Sequence, residues 1–158
     1  MKKVISFLVT GLLVISPISA NAATTSADVD YSKKISTTFP VFQKAIVEWG
    51  GIAGQQPSLI ISPKYKSWKA KFIASSNNVS KSAKLLNKLK GTEAFAKSDP
   101  LLHETMGLYL TGVQKLIAAV NKNDTKAMAK ANDVFVSANN SLLAWQNAYQ
   151  AEVDALNK

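Results

Sequence analysis

From Tyr31 to Leu156 the apolar residues recur at alternating spacings of three and four, which is the period of an α-helix and not of a strand. Four such stripes follow one another. The first runs Tyr31, Ile35, Phe39, Phe42, Ile46, Trp49 and stays in register across Pro40, so a single kinked helix is expected there, ended by Gly50, Gly51 and Gly54. The second opens on Ser62-Pro63, an N-cap followed by proline at the first helical position. It carries Tyr65, Trp68, Phe72, Val79, Ala83, Leu86 and Leu89 as far as Gly91.

A third opens on Asp99-Pro100 and carries Leu102, Met106, Tyr109, Val113, Leu116, Ile117 and Val120. After the polar turn Asn121 to Asp124, with Asp124 placed as a cap, the fourth carries Met128, Ala131, Phe135, Ala138, Leu142, Trp145, Tyr149 and Leu156. Leu59-Ile60-Ile61 is the one β-like triplet, and Glu93 to Lys97 reads as a short helical turn or a loop. Short connections place successive helices side by side in opposite directions, so the expected fold is an all-α, up-down-up-down antiparallel four-helix bundle. In that arrangement Trp49, Trp68, Val120 and Met128 share one end, and Tyr31, Leu86, Leu102 and Tyr149 the other.

Ahead of the stripes stands a different pattern. Lys2 and Lys3 precede an uncharged apolar run from Val4 to Ile15, followed by Pro17 and Ala20-Asn21-Ala22. This is the order of a cleavable secretory signal peptide, residues 1–22, with the cut expected between Ala22 and Ala23 and a single domain over residues 23–158. The apolar run is shorter than the ~20 residues that span a bilayer. The expected location is therefore secreted or cell-envelope, and the Met-Lys-Lys opening has a bacterial look. The chain holds no cysteine, which excludes disulfides, thiol catalysis and Cys-ligated metals or haem.

Charge supplies the candidate site. The chain is +9, with 19 lysines, no arginine and 10 acids; without Lys2 and Lys3, 17 lysines against the 10 acids leave +7. Eight of the lysines, Lys64, Lys66, Lys69, Lys71, Lys81, Lys84, Lys88 and Lys90, fall between Ser62 and Thr92, a stretch without Asp or Glu. Read as one helix, they lie opposite or beside its apolar stripe and form an outward cationic ridge. Such a ridge is either a solvated coat or a docking surface for an anionic envelope polymer or membrane surface. Export, the lack of arginine and the burial expected of every aromatic argue against nucleic acid.

Chemistry-bearing motifs are sparse. His103 is the one histidine, with Asp99 four residues earlier, and two ligands do not make a metal site. No Glu-x-x-His repeat, Gly-x-Ser-x-Gly turn or P-loop occurs. No cofactor and no catalysis are expected. The leading expectation is an exported, non-enzymatic interaction protein. The alternative is a small-ligand or cofactor carrier with a pocket between the helices, suggested by Gly107, Gly112, Ala118, Ala131 and Ala138.

Overall fold

The computed structural model describes Ile18, residues 24–57 and residues 62–158. Among these residues the chain is all-helical, with four α-helices, one short 3-10 turn and no strand. The helices are α1 (Ser26–Ala53), α2 (Pro63–Leu86), α3 (Ser98–Lys122) and α4 (Thr125–Leu156), with the 3-10 turn at Glu93–Phe95 between α2 and α3. The expected leader lies outside the described residues apart from Ile18, which is buried and donates its N–H to Ser32 Oγ at 3.1 Å. Leu59-Ile60-Ile61 also lies outside them.

Each helix starts where local chemistry satisfies its first N–H groups. Thr25 and Asp28 form a capping box at α1: Thr25 Oγ1 accepts from the Asp28 N–H at 3.2 Å, and Asp28 Oδ2 accepts from the Thr25 N–H at 2.8 Å. Ser62 caps α2 with Pro63 next in line, and Asp124 caps α4 by accepting from the Ala127 N–H at 2.9 Å. Ahead of Asp124, Asn123 takes the left-handed conformation at φ 54°, which turns α3 into α4. Helix α1 is continuous through the exposed Pro40.

Three boundaries differ from the sequence reading. Helix α1 keeps Gly50 and Gly51 and ends at Ala53, because Trp49 and Ala53 are both buried and hold the intervening glycines in register. The Gly54 N–H closes the last turn on Gly50 O at 2.9 Å, and the Ile52 carbonyl accepts both the Gln55 N–H at 3.1 Å and Trp68 Nε1 at 2.7 Å. Helix α2 ends at Leu86, not at Gly91. Gly91 has another role: a Cβ there would lie 2.7 Å from the Asp99 side chain, whose Oδ1 accepts the Gly91 N–H at 2.8 Å. That use of Asp99 removes it as the cap of α3, which begins at Ser98. The missing cap comes from α4, where Glu152 accepts from the Lys97 N–H at 2.9 Å and the Ser98 N–H at 3.2 Å.

The core is an unbroken ladder of the twelve aromatic residues in the helical region, every one of them buried. It runs Tyr31, Phe95, Tyr149, Trp145, Phe39, Phe42, Tyr109, Phe135, Trp49, Phe72, Trp68 and Tyr65, with successive ring centroids 4.7–6.2 Å apart. Burial of each large side chain contributes about 1.5–3 kcal/mol, and favourable ring geometry adds to that. Both ends of the ladder are tied by hydroxyls. Tyr31 donates to Asp99 at 3.0 Å at one end, and Tyr65 donates to Asn123 at 3.1 Å at the other. The expected grouping of Trp49 with Trp68 is met through Phe72, and Gln56 links the same end to Met128 Sδ at 4.0 Å.

Asp28 joins the start of α1 to the segment after α2. Its carboxylate is buried and also accepts from Thr92 Oγ1. Hydrogen bonds from the Thr25 and Thr92 hydroxyls hold its pKa below the ordinary value of 3.8, against the opposing effect of burial. Because the folded pKa is depressed, this contribution to stability is present above pH ~4 and is lost as pH falls through the folded value. Urea midpoints at pH 6 and pH 3 check it: Asp28→Asn should lower the midpoint at pH 6 and shrink the difference between the two.

Candidate anionic-partner interface

Of the eight lysines singled out in the sequence, six lie on α2: Lys64, Lys66, Lys69, Lys71, Lys81 and Lys84. Lys88 and Lys90 do not. They belong to the connection beyond Leu86, because the chain leaves the helix at Asn87 to reach the Gly91–Asp99 contact. Seven of the eight side chains are exposed, and Lys69 is half-buried with its Nζ donating to the Asn121 carbonyl of α3 at 3.3 Å. None of the eight forms an ion pair with a carboxylate among the described residues, whereas Lys34 pairs with Asp30 at 2.5 Å and Lys44 with Glu48 at 3.9 Å on α1.

The six lysines of α2 are spread around its solvent side and do not make one narrow ridge. Lys64 and Lys71 flank a groove of about 310 Å³ formed with Ile52, Pro57 and the edge of Trp68. Lys81 lines a second groove, about 400 Å³, in which Val41, Ala45 and Leu85 supply the apolar floor and Lys44 and Glu48 come from α1. Lys88 and Lys90 border a third, about 370 Å³, with Lys34, Asp30 and Thr92. Lys69 faces the opposite flank, toward α3. Sequence reasoning missed Lys34 and Lys44, which reach these grooves from another helix and carry no signal along α2 itself.

The other sequence candidates resolve into structural contacts. His103 Nδ1 lies 3.1 Å from Asn87 Oδ1, and Nε2 lies 3.5 Å from Asp99 Oδ2, so the ring bridges the end of α2 to the start of α3. Among the described residues no three His, Asp or Glu side chains converge as metal ligands would. Gly112 leaves no void for a carried ligand: a Cβ there would lie 2.8 Å from the ring of Phe135, which fills the space. Ala131 and Ala138 are likewise fully packed, while Ala118 is exposed. No described helix is long and apolar enough to cross a membrane.

The class defined by this geometry is an all-helical protein with an aromatic core and an arginine-free, lysine-rich surface. No family model matches the chain, and no curated protein or solved structure shows significant similarity to it.

Proposed function

We propose that the chain is an exported, non-enzymatic interaction protein, an up-down-up-down antiparallel four-helix bundle released from a leader at residues 1–22. Its lysine-rich second helix binds an anionic partner of the cell envelope, either a polymer or a membrane surface. One observation carries this reading: the eight lysines between Ser62 and Thr92 have no carboxylate partner among the described residues, while every aromatic of the helical region is committed to the core. Unpaired surface cations keep their attraction for an external anion, whereas paired ones lose most of it.

The same geometry sets the character of the binding. Lysine is a flexible point charge without the planar fork of arginine, so it recognises charge density and not a fixed arrangement of oxygens. Exposed aromatics that would stack on bases or anchor in a lipid interface are absent among the described residues. Binding is then electrostatic and strongly weakened by salt. Replacing Lys69, Lys71, Lys81 and Lys84 together with glutamine should lower retention on anionic wall material and anionic vesicles at ~0.1 M salt. Retention equal to that of the unaltered protein would overturn the reading.

A further inference from the structure

The proposed binding surface has a centre that the sequence does not reveal. Two contacts bring the first turns of α2 against the turn between α3 and α4: Tyr65 donates to Asn123, and Lys69 Nζ donates to the Asn121 carbonyl. The first turns of α2, with exposed Lys64, Lys66 and Lys71, therefore pack at the same end as the α3–α4 turn, whose flanking Lys122 and Lys126 are also exposed. Asp124, the acid of the α3–α4 turn, caps α4 and offsets one of these charges.

The far end of the molecule is different. Asp28, Asp30, Glu93, Asp99, Glu152 and Asp154 are placed there, drawn together by the Thr92–Asp28, Tyr31–Asp99 and Ser98–Glu152 hydrogen bonds. Lysines stand at this end too, Lys34, Lys88 and Lys90 beside Asp30 and Thr92, but the carboxylates offset them, so the net positive charge falls at the opposite pole.

We propose that this pole, centred on Lys66, Lys69, Lys122 and Lys126, is where the protein docks, and that its partner is an anionic phospholipid surface met end-on. The inference rests on the anionic-partner reading above and replaces a track along α2 with a cap across two helix ends and a turn. The shape of the cation set favours a plane. A linear polyanion is best served by a row of charges along a groove, whereas these lysines are splayed over the ends of different helices. None of the exposed large apolar residues, Val41, Val47, Leu85, Val136 and Leu143, belongs to the first turns of α2 or to the α3–α4 turn. Docking is therefore reversible headgroup contact without insertion, each lysine adding a modest increment that together make a stable attachment.

The test compares two variants of equal charge loss in the full chain. One carries Lys66→Gln, Lys69→Gln, Lys122→Gln and Lys126→Gln; the other carries Lys81→Gln, Lys84→Gln, Lys88→Gln and Lys90→Gln. Partitioning is measured on vesicles of phosphatidylglycerol with phosphatidylcholine and on phosphatidylcholine alone, the difference removing any contribution of the apolar N-terminal run. At ~0.1 M salt the pole variant should lose about tenfold or more of the anionic preference, and the control about twofold. Because Lys69 makes a structural hydrogen bond, a triple variant that retains it should show most of the same loss with unchanged helical circular dichroism.

Equal losses in the two variants would overturn the pole and leave the anionic-partner reading intact. Preferential binding of soluble polyphosphate over vesicles at equal phosphate would overturn the choice of a lipid surface. An unaltered protein with no preference for any anionic probe would overturn both the inference and the reading on which it rests.

Discussion

Trp49→Ala is expected to lower the unfolding free energy by about 3–5 kcal/mol, a large fraction of the stability of a domain this size. Trp49 is 1% exposed and is the junction of the aromatic ladder, touching Phe72 of α2 and Phe135 of α4 from its place on α1. Removing the indole opens a cavity that rigid neighbours on three helices cannot collapse to fill. Phe135 is itself pressed against Gly112 of α3, so the loss extends to the fourth helix. Denaturant unfolding followed by circular dichroism reads the change. Trp49→Phe separates the packing from the polar contact: it keeps most of the volume and loses the Nε1–Ser76 Oγ hydrogen bond of 2.8 Å, at a cost of about 1 kcal/mol. Ser76 keeps its own bond to the Phe72 carbonyl and is not left orphaned.

The second large effect is alkaline unfolding. Tyr31, Tyr109 and Tyr149 are at most 3% exposed, and burial is the main cause that raises each phenol above its ordinary pKa of 10.0. Tyr31 is pushed further by the charge of Asp99, which also accepts its hydrogen bond; for Tyr149 the Ser32 hydrogen bond works in the other direction. With folded pKa values above unfolded ones, these groups stabilise the fold fully below pH ~10, and that contribution is lost as pH rises through the folded values. Phenolate absorbance should therefore stay low at pH 10 and rise together with loss of helical signal above it. Tyr109→Phe, which removes a hydroxyl bonded to Asn139 Oδ1 at 2.5 Å, should move the transition upward. Gradual phenolate formation near pH 10 with the helices intact would contradict the buried ladder.

How much of this was legible in the residues depends on the distance over which each feature acts. The four stripes, the Ser62-Pro63 start and the Asp124 cap are encoded within a few residues of one another, and all appear as expected. Phe95 was missed because it belongs to no periodic stripe, yet it stacks on Tyr149 and fills one end of the core. The α3 cap was misassigned because Asp99-Pro100 has the local look of a helix start. Only tertiary structure shows Asp99 drawn off to Gly91 and Tyr31, with Glu152, more than fifty residues away, in its place.

The candidate surface was legible in the same partial way. Charge counted along the chain picks out the lysines of α2, since neighbours in sequence stay close in space. It overextends the helix to Lys88 and Lys90. It also passes over Lys122 and Lys126, whose turn meets the start of α2 only through the tertiary Tyr65–Asn123 contact.

If the unpaired lysines make this protein a ligand for anionic surfaces, the salt dependence of its binding shows it most directly. Partitioning of the unaltered protein onto anionic vesicles should be strong at ~0.05 M salt, fall steeply by ~0.3 M, and have no counterpart on neutral vesicles. Binding that is indifferent to salt, or no binding to anionic vesicles or wall polymer at low salt, would contradict it and leave the lysines as a solubility coat.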